Sequence, residues 1–391
     1  MTDIDQHNQE RHKDNPTVQC DGCEKLYLFG DFPFHLQKHG FFQGFSNGSI
    51  SQRDIGDEED TQLDQLLVGS VNFDFNTTWK KSDFLQVQRI QKNTNVDVWL
   101  VKIKNTEQLV VYKQMAYYTE KEKLMAHQEK NNLIKIYRKI MQTSSSSSSS
   151  SSFIHVIKPL GFFVDTEEFK AYFVLEYCSG GSLNKYIGTM KNSHTTIKVD
   201  AAWNMIAQVT LAVNQMHLNG VIIGYINTES ILLTSDLQVK LSNFMLNGSL
   251  QDGRQIAPAN DHSIQYYSPE AIQVLNSQEI EKEKERIDNM RGQQKKQIFT
   301  IESDIWAVGI VLFKLLAQKH PFIDATDRKK GITVSEFMYN IVTEQPPELP
   351  NNYPENMKNL IKRMLEKDPI RRITAEAILS VPEVAANILR N

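Results

Sequence analysis

The sequence is short of cysteine, of long apolar runs and of positive charge, and each shortage removes a class of protein. Three cysteines in 391 residues, Cys20, Cys23 and Cys178, cannot build a disulfide framework, and an odd number suits a reducing compartment. A membrane-spanning helix needs about 18 or more consecutive apolar residues, and no such stretch occurs. The opening "MTDIDQHNQERHKD" is polar and lacks an apolar signal core. A cytoplasmic location is therefore expected, with the nucleus as alternative. The formal net charge of −4 argues against a broad nucleic-acid-binding surface. What remains suffices for a sizeable core: 40% of residues are hydrophobic, and the length allows two or three domains or one large two-lobed domain.

Charge is unevenly spread. Residues 1–79 hold 14 Asp and Glu against 5 Lys and Arg, which leaves the remainder with 38 basic and 33 acidic residues. Residues 1–16 read as a disordered tail and 43–83, with the run "DIGDEED", as an acidic polar linker. Between them lies a compact island, residues 17–42.

From residue 84 apolar segments alternate: "FLQVQRI", "VDVWLVKI" and "QLVVYKQM" read as three consecutive antiparallel strands. Residues 118–141 have helical spacing, with Leu133, Ile136 and Ile140 on one face. A serine run, 144–152, has no apolar face to bury and reads as a disordered loop insertion. Two more strands, "IHVIKPLGFFVD" and "KAYFVLEYC", precede a mainly helical remainder, which suggests a sheet lobe followed by a helical lobe. The polar stretch 278–297 reads as a solvated insertion with mixed-sign pairs at helical spacing, and a docking site is the alternative. "VIIGYINTESILL", 221–233, has the pattern of a buried strand, a polar turn and a second strand.

The order of these pieces resembles the protein kinase fold over residues 84–386. "LEYCSGGSLNKYI" is similar to the hinge and the helix after it, with Leu175 at the gatekeeper place and Glu176 to Cys178 facing adenine. "SPE" at 268–270 resembles the Ala-Pro-Glu motif, "DIWAVG" at 304–309 the Asp-x-Trp-x-x-Gly helix, and "DPIRR" at 368–372 the Asp-Pro-x-x-Arg motif. The resemblance implies a buried ion pair between Glu270 and Arg372, since losing either partner would strand a charge. It also implies that Asp304 caps the backbone of the catalytic loop.

Kinases transfer phosphate by positioning and charge neutralisation, with a Gly-rich loop, a strand lysine, two magnesium ligands and a catalytic-loop Asp. The Gly-rich loop aligns with "QKNTNVDV", 91–98, where only Val98 survives. Gln91, Asn93 and Val96 would crowd the phosphates that glycines let the backbone approach. Lys113 in "VVYK" matches the phosphate-binding lysine, and Glu129 its helix partner, with Glu122 as alternative. That pair suits a vestigial ATP site or a purely architectural role. Val111 replaces the family's small Ala above the adenine slot, which should weaken nucleotide stacking. "HRDLKPEN" aligns with "IGYINTES", so Tyr225 stands at the catalytic Asp, Asn227 at the Lys and Ser230 at the metal-binding Asn. Gly224 removes the Arg that would pair with a phosphorylated activation loop. Asn243 in "SNFM" stands at the magnesium-binding Asp. Ile223 and Phe244 could stack with Leu133 in an apolar column between the lobes. Tyr225, with an ordinary pKa of about 10, cannot act as a carboxylate at neutral pH, and no phosphotransfer is expected.

The island contains Cys20, Cys23, His35 and His39, spaced C-x2-C-x11-H-x3-H. It resembles the two-Cys two-His zinc finger, including Tyr27 and Phe32 at its core places, although the spacer is one residue short of the usual twelve. Tetrahedral zinc wants four such ligands. Pro33 speaks against a regular finger, and an accidental cluster is the alternative. Leu28, Asp31 and Phe34 fall at the base-reading places, and none is a good base-edge reader.

The expectation is thus an α+β, two-lobed protein kinase-like fold, preceded by a zinc-finger-like module and linkers. Its expected role is that of an inactive scaffold or allosteric partner in signalling. The partner expected is a protein, an active kinase among the candidates, and neither membrane nor nucleic acid. Zinc is the expected metal, and ATP should bind weakly or not at all. The alternatives are an ATP-binding protein without transfer, or a zinc-finger adaptor for protein or nucleic acid.

Overall fold

A computed structural model of the chain describes residues 17–19, 26–28, 73–92, 96–146, 153–242, 264–274, 299–323 and 332–388. The chain divides into two compact units, 1–69 and 70–391. In the first, β1 (Thr17–Gln19) pairs antiparallel with β2 (Leu26–Leu28), Thr17 opposite Leu28 and Gln19 opposite Leu26. Cys20 and Cys23 fall in the connection between them. These cysteines, His35, His39, the tail 1–16 and the acidic run 54–60 lie outside the described residues.

The second unit opens with a five-stranded antiparallel sheet, order β3-β4-β5-β7-β6. Its strands are β3 (Phe84–Lys92), β4 (Val96–Ile103), β5 (Leu109–Ala116), β6 (Pro159–Asp165) and β7 (Lys170–Glu176). Side chains alternate between faces, so one face buries Val101, Val110, Tyr112, Phe163, Tyr172 and Val174. The opposite face buries Phe162, Ala171 and Phe173 against Ala126 of α1 (Glu120–Ser146). On α1, Leu133 and Ile140 are buried in the main core and Ile136 is packed against it, the stripe that helical spacing predicts.

Two expectations are corrected at the borders. α1 runs into the first three serines of the run instead of ending at 141, because extending a formed helix adds one hydrogen bond per residue and serine disfavours it only mildly. Residues 147–152 and the charged stretch 278–297 lie outside the described residues. Residues 73–83, read as linker from their polarity, pack onto the domain: Phe73 is buried against Tyr137, with ring centroids 5.2 Å apart. Polar residues there mask three apolar anchors.

The helical lobe comprises α2 (Leu183–Asn192), α3 (Val199–Leu218), α4 (Ile301–Ala317), α5 (Val334–Thr343), α6 (Glu355–Met364), α7 (Ala375–Leu379) and α8 (Pro382–Ile388). Helix α4 is apolar nearly all round and sits at the centre of the core. Its start is set by a capping box, in which Thr300 Oγ1 accepts from Ser303 N and Ser303 Oγ from Thr300 N. Short strands β8 (Gly181–Ser182), β9 (Ile231–Leu233) and β10 (Val239–Leu241) form a second sheet, order β10-β9-β8. Residues 221–226 form no strand, contrary to their apolar pattern. The amides of Ile223 and Gly224 are taken by a carboxylate instead of a neighbouring strand. Among the described residues no helix is long and apolar enough to cross a membrane.

Behind β10 the buried His155 holds the carbonyl of Val239 through Nδ1 at 2.9 Å. Burial depresses its pKa from 6.5 to about 4, so the folded state resists a proton that the unfolded chain accepts. Stability from this site is complete above the unfolded value and falls as pH drops toward the folded one. We expect urea unfolding to show a loss of about 2 kcal/mol from this residue between pH 7.5 and 5. His155→Gln should flatten that part of the profile, and an unchanged slope in the variant would disprove the assignment.

Candidate functional site

The site is built on the loop between α3 and β9, and Asp304 in the first turn of α4 shapes it. Asp304 Oδ2 accepts from Ile223 N and Oδ1 from Gly224 N, both at 2.8 Å, while His217 Nε2 lies 2.8 Å from Oδ2. The carboxylate is buried, with 1% exposure. Gly224 sits at φ 68°, a left-handed conformation that side-chain-bearing residues adopt only at a cost of about 1–2 kcal/mol. Its lack of a Cβ fits that bend.

Beyond the bend the loop closes on itself. Asn227 Oδ1 accepts from the amides of Glu229 and Ser230 at 2.8 and 2.9 Å, an Asx turn. Ser230 Oγ accepts from Asn227 N and donates to Asn227 O, each at 3.0 Å, and Ser230 is 2% exposed. The side chain at the expected metal-ligand place is therefore spent inside the loop. Thr228 Oγ1 meets Tyr266 Oη at 3.0 Å, and Lys314 Nζ donates to the same phenol at 2.6 Å. Asn184, in the first turn of α2, ties the loop from the other side, donating its amide to Thr228 O at 2.8 Å. Motif reading missed the contacts among Asn184, Thr228, Tyr266 and Lys314, because none of these four was aligned with a catalytic group, and it read Asn227 and Ser230 only as replaced ones.

Tyr225 is half-buried and lines a shallow, solvent-open cleft, with room for about one water molecule, together with Tyr266, Tyr267 and Phe299. Burial, and secondarily the nearby Tyr266, pushes its pKa above the ordinary 10.0. It is a neutral phenol at physiological pH and offers no base. Asn243 and Phe244 lie outside the described residues, whereas Ile223 and Leu133 share the main core.

In the sheet lobe Lys113 Nζ and Glu129 Oε1 are 2.5 Å apart, so the structure pairs Lys113 with Glu129. Glu122 instead caps the start of α1, accepting from the amides of Tyr118 and Thr119. Val98 stands opposite Lys113 and Val111 opposite Leu175 in the ladder, which brings the expected adenine-slot residues onto neighbouring strands. Strands β3 and β4 stay paired out to Lys92 and Asp97, so Gln91 pairs with Val98 in a hairpin, and 93–95 lie outside the described residues. The hinge carboxylate Glu176 is engaged behind the strands, 2.8 Å from Lys240 and accepting from Lys158 N at 2.6 Å. Arg372 grips Glu270 with two bonds of 2.6 and 2.9 Å and donates to Glu302 O at 2.7 Å. This is the ion pair that the motifs imply.

A family model for the protein kinase domain matches residues 84–382, and the chain belongs to that family. Relatives are serine/threonine kinases at low identity. The chain is 25% identical over 209 residues to mouse serine/threonine-protein kinase Nek11, covering 54% of this chain and 28% of the relative. It is 24% identical over 310 residues to 3-phosphoinositide-dependent protein kinase 1 of Arabidopsis thaliana, covering 78% and 52%. It is 28% identical over 220 residues to serine/threonine-protein kinase PLK4 of Nematostella vectensis, covering 56% and 19%. The chain thus spans about half or less of the length of these relatives.

Removing the carboxylate that shapes the loop strands two buried amides. Asp304→Ala should destabilise the domain by about 3 kcal/mol in chemical denaturation, and Asp304→Asn, which keeps one acceptor, by less. Equal stability of Asp304→Ala and the parent chain would refute this role.

Proposed function

We propose that this chain is a catalytically inactive member of the protein kinase family that acts as a scaffold or allosteric partner in signalling. The observation that carries the reading is the catalytic loop, where a neutral, half-buried Tyr225 replaces the base and Ser230 Oγ is consumed by Asn227. A missing general base alone lowers rates by about 10²- to 10⁴-fold. With Asn243 in place of an acid and the phosphate-loop glycines absent, magnesium and the γ-phosphate lose their holders. Lys113 and Glu129 then serve to join α1 to the sheet, and ATP binds weakly or not at all. The retained Glu270–Arg372 and Asp304 contacts favour selection for the scaffold.

The aromatic cleft beside Tyr225 and the rest of the helical lobe would meet a protein partner, and an active kinase is the candidate that the fold suggests. For the amino-terminal unit we propose a zinc-binding module held by Cys20, Cys23, His35 and His39. Hairpin β1–β2 supports it by leaving the C-x2-C pair in its connection, the arrangement a two-cysteine zinc hairpin needs.

Incubation of purified chain with labelled ATP and magnesium, then manganese, should yield no phosphate transfer to itself or to generic protein substrates. Turnover that Lys113→Ala abolishes would overturn the inactive reading. Elemental analysis should find one zinc per chain, lost in Cys23→Ser, and metal-free protein would exclude the module.

A further inference from the structure

The segment that opens the second unit ahead of the sheet, "FDFNTTW" at 73–79, is gripped by the domain as a peptide ligand would be. Its backbone joins the free edge of β6: Asn76 N donates to Leu160 O at 2.9 Å, and Asn76 O accepts from Phe162 N at 3.0 Å, a parallel bridge to Gly161. Main-chain bonds to a sheet edge together with pockets for alternate side chains are the hallmarks of strand addition.

The pockets lie on both sides of that edge. Phe73 is 7% exposed, against Tyr137 of α1, with the Arg138 guanidinium 5.6 Å from its ring centroid. Phe75 packs against the cluster of Ala126, Phe162 and Phe173 on the inner face. Trp79 packs on the opposite face, edge-on to Phe84 with centroids 5.4 Å apart. Asn76 fixes the turn between these anchors, its Oδ1 accepting from Thr78 N at 2.8 Å and Trp79 N at 3.0 Å. Gly161 makes room for the segment: a Cβ there would overlap the Asn76 carbonyl and lie 2.7 Å from Trp79 ring carbons.

Both Phe73 and Phe75 touch the surroundings of α1, the helix that carries Glu129. Tyr137 lies eight residues beyond Glu129, about 12 Å along the axis. At this end α1 is also held by Leu133 and Ile140 in the main core and by Lys139 Nζ donating to Asn219 O at 2.7 Å, so Phe73 and Phe75 add a lateral anchor on the side that faces the sheet edge.

We propose that the groove between the β6 edge and α1 is a peptide-recognition site for an aromatic-x-aromatic-Asn-x-x-Trp segment. Residues 73–79 fill it in cis and thereby hold α1 where Glu129 meets Lys113. The inference does not depend on catalytic inactivity.

Hydrogen exchange on the full chain tests it with two variants that disable the contact from opposite sides, Phe73→Ala/Trp79→Ala and Gly161→Ala. Both should lower protection of α1 amides by about tenfold or more while α4 stays protected. A synthetic peptide of residues 70–83, added in excess, should restore α1 protection in Phe73→Ala/Trp79→Ala but not when Gly161→Ala is also present. Unchanged α1 protection would overturn the proposal, and so would loss without rescue. Loss that spreads equally to α4 would also overturn it, by making the segment an undifferentiated part of the global fold.

Discussion

The arrangement of the functional loop rests on one buried carboxylate. Asp304 accepts two consecutive backbone amides and faces His217, so a single side chain fixes both the direction of the loop and the end of α3. Its own position is set twice over. The capping box of Thr300 and Ser303 defines where α4 begins, and Arg372 holds the carbonyl of Glu302 while clasping Glu270. A chain of charge-assisted hydrogen bonds thus runs from residue 372 to residue 223. Such bonds are worth roughly twice neutral ones, and leaving any member unpaired in the core would be costly.

These supports join groups of the chain itself, whereas, Lys113 apart, the positions at which a kinase engages nucleotide, metal or a phosphorylated side chain carry other residues. The groups that would use them have turned inward or become neutral: Ser230 serves Asn227, Tyr225 lines an aromatic cleft, and Gly224 relaxes a left-handed bend. In the sheet lobe the Lys113–Glu129 contact persists, with α1 pinned beyond it by Phe73. The domain therefore resembles an active kinase in its supports and departs from one in its reactive atoms. That combination underlies the proposal of a signalling scaffold.

Much of this was legible in the sequence, for identifiable reasons. Period-two alternation located β3, β4 and β5, because each strand buries a face and a slip would invert it. Spaced motifs located the Glu270–Arg372 pair, the Lys113–Glu129 pair and the capping role of Asp304, since each demands particular residue types at distant positions. The misses share one cause, which is that pattern reading sees side chains and not the destinations of backbone groups. Residues 221–226 look like a strand until Asp304 claims their amides. Residues 73–83 look like linker until Asn76 joins the β6 edge and Gly161 admits it. The reciprocal bonds of Asn227 and Ser230 are likewise invisible in a motif that treats both as lost catalytic groups.

The central claim is that Asp304, Asn227 and Ser230 suffice to hold the loop of residues 221–231. It is tested most directly by following hydrogen exchange of residues 221–231 with and without millimolar magnesium-ATP. The account predicts identical, strongly protected kinetics in both conditions. Protection that appears or deepens only with the nucleotide and metal would contradict it.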